Sequence, residues 1–381
     1  MAYHTTPYLL LFLPAALLFY QITPAKWRSY TLLIFSYLFF WSFSEKLIIY
    51  LIGTTFLTHH ICIWMDTMDK RDKRKKRVFQ LGILLLLGTI LCLKYRNFFF
   101  GNVSKLAMVL HIDWSYQDQL IFLPIGISFY TLSAIGYMAD VYWGKVKAEY
   151  SLVKTALFLG FFPVIVEGPI CRWEDVEDTL FKNESVKAEN VFKGCYRIIW
   201  GLFKKMIIAD RLAVLVDKVY VGYESYSGAV IVAAAISYTI QLYMEFSGCM
   251  DMVIGSAGLF GIRLPENFSQ PFFAKTCTDF WKRWHITLGV WFKNYIFYPV
   301  SISKTARKWN KFTRKHFKGD FGNIWREWEL QQWHFSRYGS VMVCGMVRNG
   351  ITFLRIILLW LDFYGTCIGT GKRQNSCSTS Y

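Results

Sequence analysis

The chain has 381 residues, of which 54% are hydrophobic and 19% aromatic, and its mean hydropathy is +0.28. This composition excludes an ordinary soluble domain of mixed charge and indicates several spans of a lipid bilayer. The formal net charge is +17, but the basic residues collect in short polar connections, most densely at 70–77. Such a run is typical of a cytoplasmic loop beside anionic headgroups, so no nucleic-acid partner is expected.

Seven apolar stretches are candidate membrane spans and predict an all-α polytopic protein. They cover residues 8–22, 30–56, 78–93, 120–138, 152–169, 192–208 and 229–246. A span needs about 20 apolar residues, so the shorter stretches must tilt, borrow neighbours or belong to re-entrant helices. The N-terminal stretch lacks a cleavage site and is expected to stay as a first span.

Two stretches mix apolar bulk with helix-breaking residues. Residues 123–143 contain Pro124, Gly126 and Ser128, which fits a broken or closely packed membrane helix. Residues 161–172 carry two prolines beside Glu167, so the backbone there cannot stay regularly helical. Irregular backbone at membrane depth must line protein or water.

Ionisable side chains inside apolar segments are costly enough to suggest function. They are Asp140, Glu167, Asp210, Glu245, Asp251 and His285. An equally good interpretation of each acid is a residue at the end of a span that pairs with a nearby base. The available bases are Lys204, Lys205, Arg172 and Arg211. No metal site is expected, because the histidines and the nine cysteines show no metal-ligand spacing.

His285 stands among tryptophans in the stretch 279–292. If this stretch is one helix, a single face carries Trp281, Trp284, His285, Leu288 and Phe292. An imidazole titrates near neutral pH and can take a proton from a hydroxyl nucleophile. The alternative is a buried helix histidine with a structural role. The preceding loop, 263–275, is either the border of a pocket or a membrane-interface loop.

Several motifs in one order resemble the membrane-bound O-acyltransferases, particularly the bacterial alginate O-acetylation proteins and teichoic acid D-alanyl transferases. The matching pieces lie at 123–130, 140–142, 167–172, 201–212, 246–252, 265–268 and 280–288. Together they cover roughly residues 120–300. The residues of these motifs are more similar to the alginate-acetylation type than to the D-alanyl type.

The resemblance implies a helical bundle around a transmembrane tunnel, in a multi-pass protein of the bacterial plasma membrane. An acyl thioester, either acetyl-CoA or an acyl group on a carrier protein, arrives from the cytoplasm as a substrate, and no cofactor is bound. The acceptor is an extracellular polysaccharide, or a partner acyltransferase. His285 matches the family's tunnel histidine. The other tunnel candidates are Trp281, Trp284, Asn267, Glu245, Asp251, Ser128 and Arg172.

The C-terminal part of this sequence departs from the family's motif pattern. The family's usual catalytic base lies in a later Trp-His-Gly motif, and this sequence contains none. Read one nucleotide out of phase, codons permitted for 344–353 can encode that motif, because Gly345, Met346 and Val347 meet its codon requirement. We therefore predict one integral domain at 1–323 and a tail at 324–381 that is frameshifted, with the last helices missing or altered. Loss of the motif predicts an impaired or inactive chain.

Three functions remain open at this point. The leading hypothesis is transfer of an acetyl group across the membrane to hydroxyls of an extracellular or cell-wall polysaccharide. The second is D-alanyl transfer to teichoic acid from a carrier protein. The third is a non-enzymatic polytopic transporter or export component, in which His285 and the membrane acids guide a substrate or a proton.

Overall fold

The computed structural model describes residues 2–69, 72–111, 114, 124–304 and 307–308. Within them the backbone forms helices and turns and no β-strand, which confirms the predicted all-α class. The first helices are α1 (Leu13–Ile22), α2 (Arg28–Ser44), α3 (Ile48–Asp66), α4 (Lys73–Lys94), α5 (Arg96–Val109), α6 (Ile127–Trp143) and α7 (Leu152–Gly160). They are followed by α8 (Trp173–Leu180), α9 (Ala188–Leu202), α10 (Asp210–Val221), α11 (Gly228–Leu259), α12 (Cys277–Arg283), α13 (Ile286–Phe292) and α14 (Tyr298–Ser301).

Three helical segments of the described chain are long and apolar enough to cross a membrane: Ala25–Asp66, Lys73–Lys94 and Gly228–Leu259. A shorter apolar helix covers Pro7–Ile22. The expected span 30–56 is divided, because Glu45 adopts φ 41° and ψ −117° and a short 3₁₀ helix separates α2 from α3. Of the expected span 120–138, residues 120–123 lie outside the described residues.

The two stretches with helix-breaking residues differ in outcome. Helix α6 is continuous and most of its side chains are buried, so the closely packed alternative is confirmed for its described part. Helix α7 ends at Gly160, well short of residue 169. Tight turns follow, in which the N–H groups of Val164 and Ile165 donate to the carbonyl of Phe161. The predicted irregular backbone at 161–172 is therefore confirmed.

Helices α9 and α11 cross with their backbones in contact. A Cβ atom added to Gly194 would lie 2.8 Å from the carbonyl oxygen of Gly255, and one added to Gly255 would meet Gly194 at the same distance. Gly201 and Gly248 form a second reciprocal pair, at 2.6 and 2.8 Å. Small residues at such spacing let membrane helices approach closely. This crossing therefore depends on all four glycines.

The chain divides into two compact units, Met1–Asn267 and Phe268–Tyr381. The first contains the α9–α11 crossing and an aromatic core in which the buried Tyr8 hydroxyl donates to Ser256 Oγ at 3.0 Å. Of the second unit, the structure describes 268–304 and 307–308. The predicted domain boundary at 323 and the tail 324–381 lie outside the described residues.

Candidate active site

His285 does not lie within a helix, so the expectation of one continuous helix over 279–292 is wrong. Helix α12 ends at Arg283, and His285 takes the left-handed conformation, φ 45° and ψ 53°, directly before α13. In a continuing helix, the carbonyl of Arg283 would accept from the N–H of Thr287. Here it accepts a 3.0 Å hydrogen bond from the N–H of Ser269, and the helix breaks.

The backbone of His285 is held in an energetically unfavourable conformation. A left-handed non-glycine residue costs roughly 1–2 kcal/mol, and such strain persists only where the surroundings enforce it. His285 is 6% exposed, and Thr287 in the next turn is also buried. The structure therefore fixes this imidazole within the protein at a junction between two short helices. Backbone strain of this kind concentrates at functional sites.

Aromatic rings enforce the junction from the N-terminal side. Trp284 is buried and stacks on Phe280 with ring centroids 5.5 Å apart. Phe268 meets the same indole edge-on at 5.1 Å. Trp281 contacts Phe280 at 5.4 Å and is partly exposed. Of the two predicted tryptophans, Trp284 thus anchors the histidine backbone, while Trp281 is accessible.

The loop before α12 combines features of both sequence interpretations. Phe268 packs on Trp284, so the loop borders the histidine segment. Phe273 is 79% exposed, as expected of a ring at headgroup level. At the first-unit end of this loop, the side chain of Asn267 is fully buried, with Nδ2 3.1 Å from the sulfur of Met250.

The predicted acids of α11 are held by the bases of α9 and of the π-helical segment Phe203–Ala209 that follows it. Asp251 accepts from Lys204 Nζ at 2.6 Å and from Arg197 Nε at 3.1 Å. Glu245 accepts from Lys205 Nζ, which also lies 2.9 Å from Asp210. For these three acids the structure shows the predicted pairing with Lys204 and Lys205, although Glu245 and Asp251 lie within α11 and not at its end.

Arg197 completes this network and was missed from the sequence. Its guanidinium makes two hydrogen bonds to Glu266, at 2.6 and 2.7 Å, in addition to the one to Asp251. The signal was present in α9, since Gly194, Arg197, Gly201 and Lys204 recur at helical spacing and therefore share one face. Polar residues on a face of small residues indicate a helix contact.

The other acids have different surroundings. Asp140, 2% exposed, pairs at 3.3 Å with Lys145, which is not one of the four bases expected as partners. Glu167 lies 3.4 Å from the sulfur of Cys249. Since Cys249 belongs to α11, the structure brings the motif at 167–172 against the motif at 246–252.

Two further candidates lie in the first unit. Gly126, just before Ser128, has φ 75°, and an added Cβ would fall 1.8 Å from the carbonyl oxygen of Ile165. The partly exposed Ser128 is the second residue of α6, and the N-terminus of this helix lies against the loop that carries Glu167. Arg172 forms two hydrogen bonds to Asp175 and a salt bridge to Glu174, so it caps α8 locally.

Candidate residues thus lie in both compact units. Five belong to the first unit and three, His285 with its two tryptophans, to the second. Ion pairs and close backbone contacts connect the helices that carry the first group. Stacked aromatic rings surround the second group. In the described residues, no group of three or more histidine, cysteine, aspartate or glutamate side chains is arranged to hold a metal ion.

Comparison with known proteins gives a consistent result. Residues 145–315 match the model of MBOAT, the membrane-bound O-acyltransferase family. A probable alginate O-acetylase, AlgI, of Pseudomonas aeruginosa is 31% identical over 378 residues, which cover 95% of this chain and 72% of that protein. A peptidoglycan O-acetyltransferase of Helicobacter pylori is 29% identical over 335 residues, 78% of this chain and 61% of that protein. A teichoic acid D-alanyltransferase of Bacillus subtilis is 30% identical over 193 residues, which cover 49% of this chain and 48% of that protein.

Proposed function

Because this chain belongs to the membrane-bound O-acyltransferase family, we propose that it transfers an acetyl group to hydroxyls of an extracellular or cell-wall polysaccharide. The observation that carries the proposal is the extent of the AlgI match, 95% of the chain. The Helicobacter relative supports it, since its name also specifies O-acetylation of a cell-wall polymer. The membrane location and an acyl donor as substrate follow from the family itself.

The proposed reaction moves the acetyl group from sulfur to oxygen. The acceptor hydroxyl oxygen attacks the carbonyl carbon of a cytoplasmic thioester, the C–S bond breaks, and an ester and a free thiol result. The hydroxyl proton passes to an imidazole and then to the departing sulfur, so no other reactant is consumed. Help of this kind from a histidine is worth about 10²–10⁴ in rate.

We assign His285 to orienting the acceptor hydroxyl or relaying its proton. The support is its burial and its strained, aromatic-backed position. Trp284 has a positioning role in this proposal, because it packs beside the histidine. Ser128, Arg172, Asn267, Glu245 and Asp251 are proposed to border the substrate path. Among them, Arg172, Glu245 and Asp251 already have charged partners, which favours a structural contribution.

D-alanyl transfer to teichoic acid from a carrier protein is the second candidate. The Bacillus relative favours it, but the match covers about half of either chain. The two functions differ in donor. Acetyl transfer requires an acetyl thioester, whereas D-alanyl transfer requires a carrier protein charged with the amino acid.

The test is an acyl-transfer assay on the full chain in membranes. We expect labelled acetyl groups to reach the polymer at a rate kept low by the missing Trp-His-Gly motif, and His285→Gln to lower that rate further, by about 10²–10⁴. His60→Gln is the matched control, since His60 is an exposed histidine of α3 that bonds the carbonyl of Phe56 in its own helix. Transfer of D-alanine in place of acetyl would support the second candidate. Unchanged acetyl transfer by the His285 variant would refute the role of that residue.

We further propose that residues 324–381 are read in a shifted frame. The missing Trp-His-Gly motif favours this proposal. The AlgI alignment covers 95% of the chain and therefore extends into that segment, which favours a divergent tail read in frame. Sequencing the gene across codons 315–381 decides between the two. A one-base correction that restores the motif should raise the rate by about 10²–10⁴; an unbroken frame without the motif would refute the proposal.

A further inference from the structure

The loop before α12 contains a second strained backbone position besides His285. Among the described residues of the second unit, Gln270 and His285 are the two non-glycine residues with positive φ, at 48° and 45°. Gln270 also precedes Pro271, and a residue before proline favours extended backbone. Strain of this kind persists only where the surroundings enforce it, so both positions are held by their neighbours.

A backbone hydrogen bond joins the loop to the histidine segment. The N–H of Ser269 donates at 3.0 Å to the carbonyl of Arg283, two residues before His285. In one continuous helix, the same carbonyl would accept from the N–H of Thr287. The hydrogen bond from the loop therefore competes with continuation of the helix.

Aromatic rings hold the same loop against α12. Phe268 meets the indole of Trp284 edge-on at 5.1 Å. Phe272 lies 6.4 Å from the same indole and 6.2 Å from the ring of Phe280, and Pro271 is buried. Edge-on and tilted ring pairs at these distances attract each other. The loop is therefore anchored on both sides of its strained residue.

The other end of the loop is fixed to α12 by Asp279. Its carboxylate accepts from the N–H of Lys275 at 3.3 Å and from Nε of Arg283 at 3.0 Å. Its own N–H donates at 3.0 Å to Oγ1 of Thr276, the N-cap residue of α12. Arg283 is thus bound through its side chain and through its carbonyl. These bonds fix the chain just before it reaches His285.

We propose that residues 268–273, the latch, position His285 by maintaining the break between α12 and α13, with Phe268 as the positioning residue. Both flanking segments are helical, and a helix, once formed, extends at little cost. Without the latch, the left-handed residue would adopt helical backbone and its imidazole would leave the buried junction. The inference rests on the proposed function, because the position of this imidazole matters for catalysis only if it takes part in acyl transfer.

Two pairs of variants of the full chain in nanodiscs test the latch. Phe268→Ala removes the ring that packs on Trp284. Its control is Phe273→Ala, which removes a 79% exposed ring of the same loop. Gln270→Val makes left-handed backbone less favourable, whereas Gln270→Gly removes the strain. The Gln270 side chain is exposed, so the second pair acts mainly through the backbone.

The first readout needs no activity. Diethyl pyrocarbonate labels accessible imidazoles, and mass spectrometry compares His285 with the exposed His60. Phe268→Ala and Gln270→Val should label His285 about tenfold faster than the unchanged chain does. Phe273→Ala should label it at the unchanged rate and Gln270→Gly no faster.

The second readout is acetyl transfer. Phe268→Ala and Gln270→Val should lose about tenfold in kcat, with the KM for the acetyl donor unchanged, since a misplaced proton-transfer group slows the chemical step and leaves donor binding intact. A loop that is merely structural would not separate kcat from KM in this way.

Three outcomes would overturn the proposal: His285 labelled at the unchanged rate in Phe268→Ala, equal labelling in the two Gln270 variants, or labelling in Phe273→Ala as fast as in Phe268→Ala. If Phe268→Ala does not fold, the Gln270 pair decides alone. Faster labelling in a protein that transfers no acetyl group, the unchanged chain included, supports the latch and counts against the proposed function.

Discussion

The α9–α11 crossing and the histidine segment are stabilised in opposite ways. At the crossing, glycines bring two backbones together and a ladder of ion pairs joins the helices on the same side. At the histidine segment, stacked rings surround a backbone break, and His285 is held in a left-handed conformation. At the crossing, the charged side chains of this ladder have partners of opposite charge across the two helices, whereas the left-handed backbone of His285 costs roughly 1–2 kcal/mol. The acids of the crossing thus have charged partners, whereas His285 sits in a strained backbone.

The largest expected effect on stability is at Asp251. Asp251→Asn removes the carboxylate that pairs with Lys204. Arg197 then keeps Glu266 as its remaining acidic partner. Breaking a buried pair costs about 3–5 kcal/mol, so the yield and melting temperature of the purified protein should fall sharply. Glu189→Gln is the control, since its pair with Lys193 is fully exposed on α9 and should change nothing measurable. Equal behaviour of the two variants would show that the ladder adds no stability.

A smaller loss is expected from separating the helices at Gly248. Gly248→Val places a side chain where Gly201 leaves only 2.8 Å, and overpacking of this kind costs about 1–3 kcal/mol. The matched control is Gly258→Val on the same helix, because nothing lies within 4 Å of an added Cβ there. Thermal unfolding in detergent compares them. If Gly258→Val destabilised as much, helix propensity and not the close contact would be responsible.

The smallest effect concerns the backbone of His285. Asparagine tolerates the left-handed region better than a β-branched residue does, so His285→Asn should be more stable than His285→Val by about 1 kcal/mol. Both variants should lose activity alike. Thermal unfolding measures the difference, and the transfer assay checks the shared loss. A valine variant as stable as the asparagine one would mean that the junction relaxes without strain.

The histidine junction shows where prediction from local pattern fails. The spacing of Trp281, Trp284 and His285 favours one helical face, and both flanking segments are indeed helical. At the break, the N–H of Ser269 binds the carbonyl of Arg283, and Phe268 of the preceding loop packs on Trp284. Neither contact leaves a periodic signal, since both join separate segments of the chain. The aromatic character of the segment was predicted, but its geometry was not.

The acids show the complementary case. Sequence indicated that Glu245 and Asp251 are unusual for an apolar helix and offered Lys204 and Lys205 as partners. It could not show which base each acid meets, because that depends on where the helices cross. The close approach of α9 and α11 brings Asp251 to Lys204 and Glu245 to Lys205. Arg197 was overlooked for the same reason, since its partners lie 54 and 69 residues away.

Composition and hydrophobic pattern were sufficient for the helical membrane class, and the ordered motifs for the family, because these signals are local or additive along the chain. The proline-rich irregular segment after Gly160 was also predictable, since proline limits its own backbone. The tertiary structure alone decided which carboxylates meet which bases and where the histidine helix breaks. Those outcomes depend on how segments distant in sequence pack, and packing energies belong to pairs of segments that no single stretch of sequence contains.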